Sequence, residues 1–230
     1  MSKLLYFLSS LLIVASSVTA TDYFGVDVST PVTPDDATCF RTKDNISFAV
    51  ARAWHSYGAY DNNVVTTGAS FNGAGIKFDV YMFPCSFNIP PLQQISNLIG
   101  NLTRDKVQYN RIWFDIETNT SPGCGWSTDL NKNCQFFTSL VQATSNFPNT
   151  LFGVYSSMHM WTTLISADPS GCAVANKLPL WYPHYQSPPQ PNFQDFVTFG
   201  GWTTPTAKQY GNTNSECSVG VDNNWRPTAP

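Results

Sequence analysis

Residues 111–117 read Arg-Ile-Trp-Phe-Asp-Ile-Glu, a largely apolar and aromatic run that ends in two carboxylates. This composition is typical of a β-strand. Because strand side chains alternate between two faces, Asp115 and Glu117 share one face with Trp113, and the aliphatic residues between them point to the other. Two acids on one face repel each other. One of them is therefore expected to keep its proton to an unusually high pH.

A carboxylate pair of this kind suits the hydrolysis of a glycosidic bond. That reaction needs one protonated acid for the leaving oxygen and a second carboxylate to stabilise the developing cation. The simpler interpretation is two solvated acids at the boundary between a strand and a loop. The stretch by itself leaves both interpretations open.

Short runs typical of β-strands recur along the whole chain, and helical patterns separate several of them. The runs are Tyr23–Ser29, Phe48–Trp54, Lys77–Phe83, Arg111–Glu117, Leu151–Ser156, Leu178–Tyr182, Thr206–Tyr210 and Val219–Asn223. Helices are predicted after Pro90 and over residues 133–147. Alternating strands and helices predict a parallel sheet, and eight strands suggest a closed barrel. The predicted class is α/β, an irregular single-domain β/α (TIM-like) barrel. Pro- and Gly-rich loops between the last three strands predict an incomplete outer helix ring.

Two further aspartates lie near the ends of predicted strands. Asp27 follows Gly25-Val26 in the first run, and Asp222 follows Gly220-Val221 in the last. A closed barrel makes its first and last strands neighbours, and the active sites of β/α barrels lie at the C-terminal rim. We therefore expect both aspartates at the rim, beside the acids of residues 111–117, with the glycine below each one leaving room. Taken singly, each aspartate is more often a turn or capping residue.

The N-terminus has the pattern of a secretory signal. Lys3 precedes an apolar run, Leu4–Val14, and Val18-Thr19-Ala20 resembles a cleavage site. The apolar run is short for a membrane span. We therefore predict a signal peptide over residues 1–20 and a mature domain over residues 21–230. The mature protein is expected outside the cell or in the lumen of an acidic digestive compartment, free of the membrane.

Six cysteines lie in the predicted mature part: Cys39, Cys85, Cys124, Cys134, Cys172 and Cys217. An even number in a secreted chain predicts three disulfides. Cys124 and Cys134 bracket a Gly-, Ser- and Asn-rich stretch and are predicted to form a local bridge. A zinc site is the alternative, but there is no CxxC motif and the three histidines are scattered, so no metal ligand is assigned.

The surface chemistry argues against some partners and modifications. Lys and Arg number 12 against 15 Asp and Glu, which gives a formal net charge of −3, so nucleic acid is not an expected partner. Glycosylation sequons begin at Asn45, Asn101 and Asn119. Asn119 stands two residues past Glu117, where a glycan would crowd a cleft, and we expect it to be unused.

Taken together, these runs resemble the Chalaropsis-type lysozymes of glycoside hydrolase family 25, and within them the secreted lysozymes of nematodes and amoebae. The resemblance covers essentially all of the mature chain. The motifs that carry it are Tyr23-Phe-Gly-Val-Asp-Val-Ser29, Val80-Tyr-Met-Phe-Pro-Cys85, Ile112-Trp-Phe-Asp-Ile-Glu117, Gly153-Val-Tyr155, Leu180-Trp-Tyr-Pro-His-Tyr185, Phe199-Gly-Gly-Trp-Thr-Thr-Pro205, Lys208-Gln-Tyr210 and Gly220-Val-Asp222.

The resemblance implies an enzyme that cuts the β-1,4 bond between N-acetylmuramic acid and N-acetylglucosamine in bacterial peptidoglycan, for digestion of bacteria or defence against them. It is expected to act as a monomer and without a cofactor. Glu117 would be the general acid, and Asp115 would orient the substrate acetamide or stabilise the ion formed from it. Asp27 and Asp222 would complete the acidic floor. The residues that resemble those lining the sugar subsites are Tyr81, Tyr155 and Trp181.

Two alternatives remain open. A chitinase-like hydrolase also carries a strand-end Asp-x-Glu in a barrel, but it needs a further aspartate two residues before the pair, where this chain has Trp113. A carbohydrate-binding barrel with weak or lost catalysis would keep the cleft, and the presence of both expected carboxylates argues against it. A Ser-His-Asp hydrolase is set aside because the Gly-x-Ser-x-Gly motif is missing.

Overall fold

Nine strands and five α-helices make up the fold in a computed structural model that describes residues 22–214 and 217–230. The strands are β1 (Tyr23–Val28), β2 (Phe48–His55), β3 (Ala59–Tyr60), β4 (Lys77–Met82), β5 (Arg111–Asp115), β6 (Leu151–Tyr155), β7 (Leu180–Pro183), β8 (Ala207–Asn214) and β9 (Gly220–Arg226). The helices are α1 (Pro34–Thr42), α2 (Asn63–Gly73), α3 (Pro91–Arg104), α4 (Leu130–Ala143) and α5 (Met158–Leu164). The predicted signal peptide, residues 1–20, lies outside the described residues. None of the described helices is both long and apolar enough to cross a membrane.

Eight of the strands close into a barrel. Their order is β1-β9-β8-β7-β6-β5-β4-β2, and β1 also pairs with β2, so the sheet has no open edge there. The neighbouring pairs from β1–β2 round to β7–β8 are parallel, and β9 lies antiparallel between β8 and β1. The predicted irregular barrel is confirmed.

Two details of the predicted sheet are wrong. The expected parallel arrangement fails at β9, because β8 ends at Asn214 and β9 begins at Gly220. A connection this short can only reverse the chain, since a parallel crossover needs about a dozen residues or more. The two-residue strand β3, which pairs antiparallel with β2 outside the barrel, is also absent from the prediction.

The side chains of the barrel strands pack into two apolar layers. Inside the barrel, Trp113 packs with Val50, Trp181 and Ala207. The intervening residues of β5 point outward into the large core between barrel and helices, as the alternation predicts. Gly153 on the neighbouring strand makes room for the indole, because a Cβ there would lie 2.3 Å from an atom of the Trp113 ring.

The outer helix ring is incomplete, as predicted. Helices α3 and α4 follow the expected apolar patterns, and α4 runs into a 3-10 turn at Thr144–Asn146. Helices α1, α2 and α5 were not predicted; α2 buries small and polar residues such as Gly68 and Ser70, which carry little periodic signal. The connection from β7 to β8, residues 184–206, has no helix.

Three disulfides are present, as predicted, but the predicted Cys124–Cys134 bridge is wrong. The pairs are Cys39–Cys217, Cys85–Cys124 and Cys134–Cys172. Cys124 lies against the loop after β4, where the backbone N–H of Ser86 donates to its carbonyl. Cys134 sits on α4 and meets the segment that precedes β7, so the two neighbours in sequence are drawn to different elements.

Candidate active site

A row of three adjoining cavities crosses the barrel mouth at the C-terminal ends of the parallel strands. The central one, here called the acidic cavity, has a volume of about 220 Å³. On one side lies a cavity of about 460 Å³, the polar cavity, which shares Asp27, Tyr81 and Asp222 with it. On the other side lies a groove of about 810 Å³, the methionine groove, which shares Glu117 and Tyr155 with it and contains two methionines. Because neighbouring cavities share lining residues, the three together are called the cleft.

All seven residues singled out from the sequence line the acidic cavity: Asp27, Tyr81, Asp115, Glu117, Tyr155, Trp181 and Asp222. Two residues that the sequence analysis did not assign, Tyr185 and Gln209, line it as well. The structure thus brings together side chains from seven different strands and from the loops that follow β5 and β7. Among the described residues, no group of three or more His, Cys, Asp or Glu side chains is arranged to hold a metal ion.

Asp115 and Glu117 are held by the pairing of β5 with β6. Asp115 is the last residue of β5, and the N–H of Ile116 continues the ladder by donating to the carbonyl of Tyr155 at 2.9 Å. The indole N–H of Trp126 then donates to the carbonyl of Glu117 at 2.8 Å. The chain therefore stays fixed past the end of the strand, and both acids keep their place on the inward face.

The surroundings of this pair favour the protonated form of both acids. Burial raises the pKa of Asp115 well above its usual value, and the charges of Glu117 and Asp27 raise it further. Burial also raises the pKa of Glu117, and the charge of Asp222 adds to this effect. Asp115 is only 7% exposed, and its Oδ1 atom is buried without a hydrogen-bond partner. An unsatisfied buried acceptor in a cleft is a place where a ligand donor can bind.

Asp27 and Asp222 lie directly opposite each other on the antiparallel pair β1–β9. Burial raises the pKa of Asp27 to about 7, with a further contribution from the charge of Asp222. Burial also raises the pKa of Asp222. The mouth of the barrel therefore holds four carboxyl groups whose ionisation is opposed by burial and mostly also by one another.

The two glycines that precede these aspartates differ in role. A Cβ at Gly25 would lie 2.5 Å from the ring of Phe48, so this glycine does leave room below Asp27. Gly220 has open space around it. The expectation that it lies below Asp222 is wrong, because β9 runs antiparallel and places Gly220 on the rim side of Asp222.

Gln209 connects the two aspartates to the aromatic wall of the cavity. Its Nε2 atom donates to Oδ2 of Asp27 at 2.8 Å and to Oδ2 of Asp222 at 3.2 Å. Its Oε1 atom accepts from the hydroxyls of Tyr155 and Tyr185, each at 2.7 Å. The two phenols fix which end of the amide faces the acids, since Oε1 can only accept.

Asn224 forms a second amide bridge below the first. Its Nδ2 atom donates to Oδ2 of Asp27 at 2.7 Å, and its Oδ1 atom accepts from the indole N–H of Trp181 at 2.8 Å. The sequence does carry a signal for Asn224, because it stands two residues after Asp222 and therefore on the same strand face. That is the same spacing as in Asp115 and Glu117.

The three aromatic candidates have different surroundings. Trp181 is only 3% exposed and packs edge-to-face against Tyr155 at a ring distance of 4.6 Å, so it supports the floor. Tyr81 borders both the acidic and the polar cavity, and burial raises its pKa. Tyr155 stands between the acidic cavity and the methionine groove. Tyr81 and Tyr155 are thus the two that face the open cleft.

Asn119, the sequon beside the pair, is buried. Its Nδ2 atom donates to the carbonyls of Ser56 and Pro84, at 2.8 and 3.2 Å. This nitrogen is the one that would carry a glycan, and both of its hydrogens form hydrogen bonds to the rim loops. Asn119 therefore serves to hold the loop that follows Glu117.

The chain is similar in sequence to known lysozymes. A sequence model of the family described as "Lysozyme-like protein 1" matches residues 18–210. "Probable GH family 25 lysozyme 2" of Dictyostelium discoideum is 35% identical over 204 residues, which are 88% of this chain and 90% of that protein. "Lysozyme-like protein 5" of Caenorhabditis elegans is 28% identical over 226 residues, 96% of this chain and 99% of that one.

Solved structures share the fold. A muramidase from Acremonium alcalophilum superposes with a TM-score of 0.68 at 18% identity, over 89% of this chain and 93% of its own. A family GH25 lysozyme from Aspergillus fumigatus gives a TM-score of 0.66 at 19% identity, over 91% and 95% of the two chains. The irregular mixed barrel is thus an established architecture.

Proposed function

Because this chain belongs to the GH family 25 lysozymes, we propose that its acidic cavity hydrolyses the β-1,4 bond between N-acetylmuramic acid and N-acetylglucosamine in bacterial peptidoglycan. The protein is a glycoside hydrolase of the lysozyme class. The reaction needs carboxyl groups in two protonation states and no cofactor, and the proposed enzyme acts as a monomer.

One observation carries the assignment of roles: Asp115 and Glu117 face one cavity, and of the two it is Glu117 that also borders the methionine groove. Glu117 is the proposed general acid. It lies at the boundary of the acidic cavity and the methionine groove, where it reaches a glycosidic oxygen between two sugars. Its raised pKa keeps it protonated at the pH where a proton donor is needed.

Asp115 is the proposed partner of the reacting sugar. Its buried Oδ1 atom has no hydrogen-bond partner, and the N–H of an N-acetyl group on the substrate would supply one. When the glycosidic bond breaks, the positive charge that develops beside Asp115 would favour its ionised form, and the carboxylate would stabilise the sugar cation or the ion formed from the acetamide. The interaction between this carboxylate and the reacting sugar would thus be stronger in the transition state than in the ground state.

Asp27 and Asp222 supply the electrostatic setting for this pair. With its pKa raised to about 7 by burial and by the charge of Asp222, Asp27 is largely protonated in acidic solution, and when it ionises its charge raises the pKa of Asp115 further. Asp222 borders the polar cavity and raises the pKa of Glu117 by its charge. Gln209 holds both aspartates in position.

Secretion forms part of the proposal. The pattern of residues 1–20 and the three disulfides support an extracellular protein or one in an oxidising lumen. The raised pKa values suit an acidic compartment, as for digestion of bacteria or defence against them.

The chitinase-like alternative is disfavoured by what occupies the position two residues before Asp115. Trp113 fills the barrel interior there, and its indole N–H donates to Asp79 at 3.0 Å. A further acid of the chitinase type would need that space.

The test is the release of reducing ends from purified bacterial cell walls. We expect Glu117→Gln to lower the rate by about a hundredfold or more, the contribution of a general acid, while its circular dichroism spectrum matches the wild type. Asp35→Asn, which removes an exposed acid on α1 that lines none of the three cavities, is the matched control and should be fully active. A folded Glu117→Gln protein with a near-normal rate would overturn the assignment. A wild-type protein that binds walls without cleaving them would favour the carbohydrate-binding alternative.

A further inference from the structure

The methionine groove differs in chemistry from the rest of the cleft. Met158 and Met160 of α5 form one side, and Tyr182 and Val197 contribute to the remainder. The opposite end of the cleft is the polar cavity, whose lining includes Asp27, Asp222 and Ser29. A single glycan strand of repeating sugars does not by itself require two such different ends.

The position of the acid determines which part of the substrate enters the groove; this step rests on the proposed function. A general acid touches the oxygen of the leaving group, and Glu117 is the acid that borders the groove. Asp27 and Asp222 border the polar cavity on the other side. The groove therefore takes the leaving-group side of the glycan.

The charged groups that line the groove do not oppose an anionic ligand. Its carboxyl groups are Glu117, the protonated acid, and Asp195. Both oxygens of Asp195 accept from the buried ammonium of Lys208 at 2.8 Å, and His184 contacts the same carboxylate. Burial raises the pKa of Asp195, but the hydrogen bonds from Lys208 and His184 outweigh this and lower it. The negative charge of Asp195 is thus compensated, and the exposed imidazole of His159 lines the same groove.

The groove is also preformed. The N–H of Met160 donates to the side chain of Ser157, which caps the start of α5. The hydroxyl of Thr118, the residue after Glu117, contacts the sulfur of Met160 at 3.6 Å. These contacts fix one wall of the groove relative to the loop that carries Glu117. A ligand that binds there therefore loses little free energy to ordering of these side chains.

We propose that the methionine groove binds the stem peptide attached to the muramyl residue on the leaving-group side of the cleaved bond. The lactyl and alanyl methyl groups at the start of such a peptide match the apolar wall of methionine, tyrosine and valine. The free carboxylates of the peptide match the exposed imidazole of His159 and the absence of uncompensated negative charge among the described groove residues. The groove volume of about 810 Å³ suits a ligand of this size.

The experiment compares two substrates: glycan strands with their stem peptides, and the same strands after an amidase has removed the peptides. We expect wild-type kcat/KM to be about tenfold higher for the peptide-bearing strands, the value of one hydrogen bond to a charged group. Val197→Asp places a carboxylate in the groove at a position that is 61% exposed, so it should fold. We expect it, and His159→Ala, to reduce the ratio of the two kcat/KM values towards one.

The matched control is Leu151→Asp, which makes the same kind of change at an exposed position at the opposite end of the barrel. It should keep the wild-type ratio. Equal cleavage of both substrates by the wild type, or a ratio unchanged in Val197→Asp, would overturn the groove assignment while leaving the lysozyme function in place. Failure to cleave either substrate would instead refute the proposed function, and the groove assignment with it.

Discussion

Replacing Asp222 by Asn should shift the alkaline limb of the pH–rate profile to lower pH. Burial raises the pKa of Glu117 first, and the charge of Asp222 raises it further. The enzyme needs Glu117 protonated, so activity is present below the pKa of Glu117 and is lost as the pH rises through it. Removing the negative charge of Asp222 lowers that pKa, and activity should then be lost at a lower pH.

The size of the shift follows from the acidic cavity. Asp222 and Glu117 line this same small cavity, so a separation of about 7 Å between their charges serves as the working distance. Two unit charges about 7 Å apart interact by about 2.4 kcal/mol at an effective dielectric constant of about 20. This equals about 1.7 pKa units. Asp222 is partly open to solvent, and screening reduces the effect to about one pH unit.

The assay is the initial rate of reducing-end release on solubilised glycan, measured at constant ionic strength from pH 3 to pH 9. We expect the wild type to be most active at roughly pH 4–6 and to lose activity as Glu117 ionises. The control Asp35→Asn removes the same charge from the exposed surface of α1 and should leave the limb in place. A wild-type rate that is flat through pH 8 would refute the coupling of the acids, and so would an alkaline limb that Asp222→Asn does not move.

Three further predictions concern the chemistry and the residue that positions the acids. Asp115→Asn should preserve substrate binding better than turnover, because an amide can still bond to the acetamide but cannot balance positive charge; a fall in kcat without a matching rise in KM is the expected result. The product should retain the anomeric configuration, as acetamide participation or a covalent intermediate requires, and an NMR time course showing inversion would mean that Asp115 activates water instead. Gln209→Leu should lower kcat/KM by about tenfold to a hundredfold, because Asp27 and Asp222 lose a charged hydrogen bond; a rate within twofold of wild type would contradict its positioning role.

The sequence predicts the inner architecture well because strand signals are local. Residues 111–117 contain an entire buried strand and its acids, and strict alternation determines which side chains enter the barrel. Helix α1 is harder to recognise, since it buries only Ala37 and Phe40 among polar neighbours. The direction of β9 was available in principle, because the spacing from Tyr210 to Val219 is too short for a crossover.

The parts that could not be read from sequence depend on contacts between distant segments. The sequence around Gln209 contains no motif that predicts its role. Its partners Asp27 and Tyr155 are distant in sequence. The prediction of the Cys124–Cys134 disulfide is wrong for the same reason. Nearness in sequence suggested Cys124 with Cys134, whereas each of them pairs with a cysteine 38 or 39 residues away.

The pairing of β1 with β9 has a consequence for how the protein matures. Asp27 comes from the first strand and Asp222 from the last, and they meet only when these strands join. Asn224, which bonds to Asp27, also comes from the last strand. During synthesis, β1 can therefore pair with β9 only after nearly the whole chain has been made. Contacts between residues so distant in sequence slow folding. The cleft is consequently the last part of the molecule to be completed, and an unfinished chain cannot carry the assembled set of four acids.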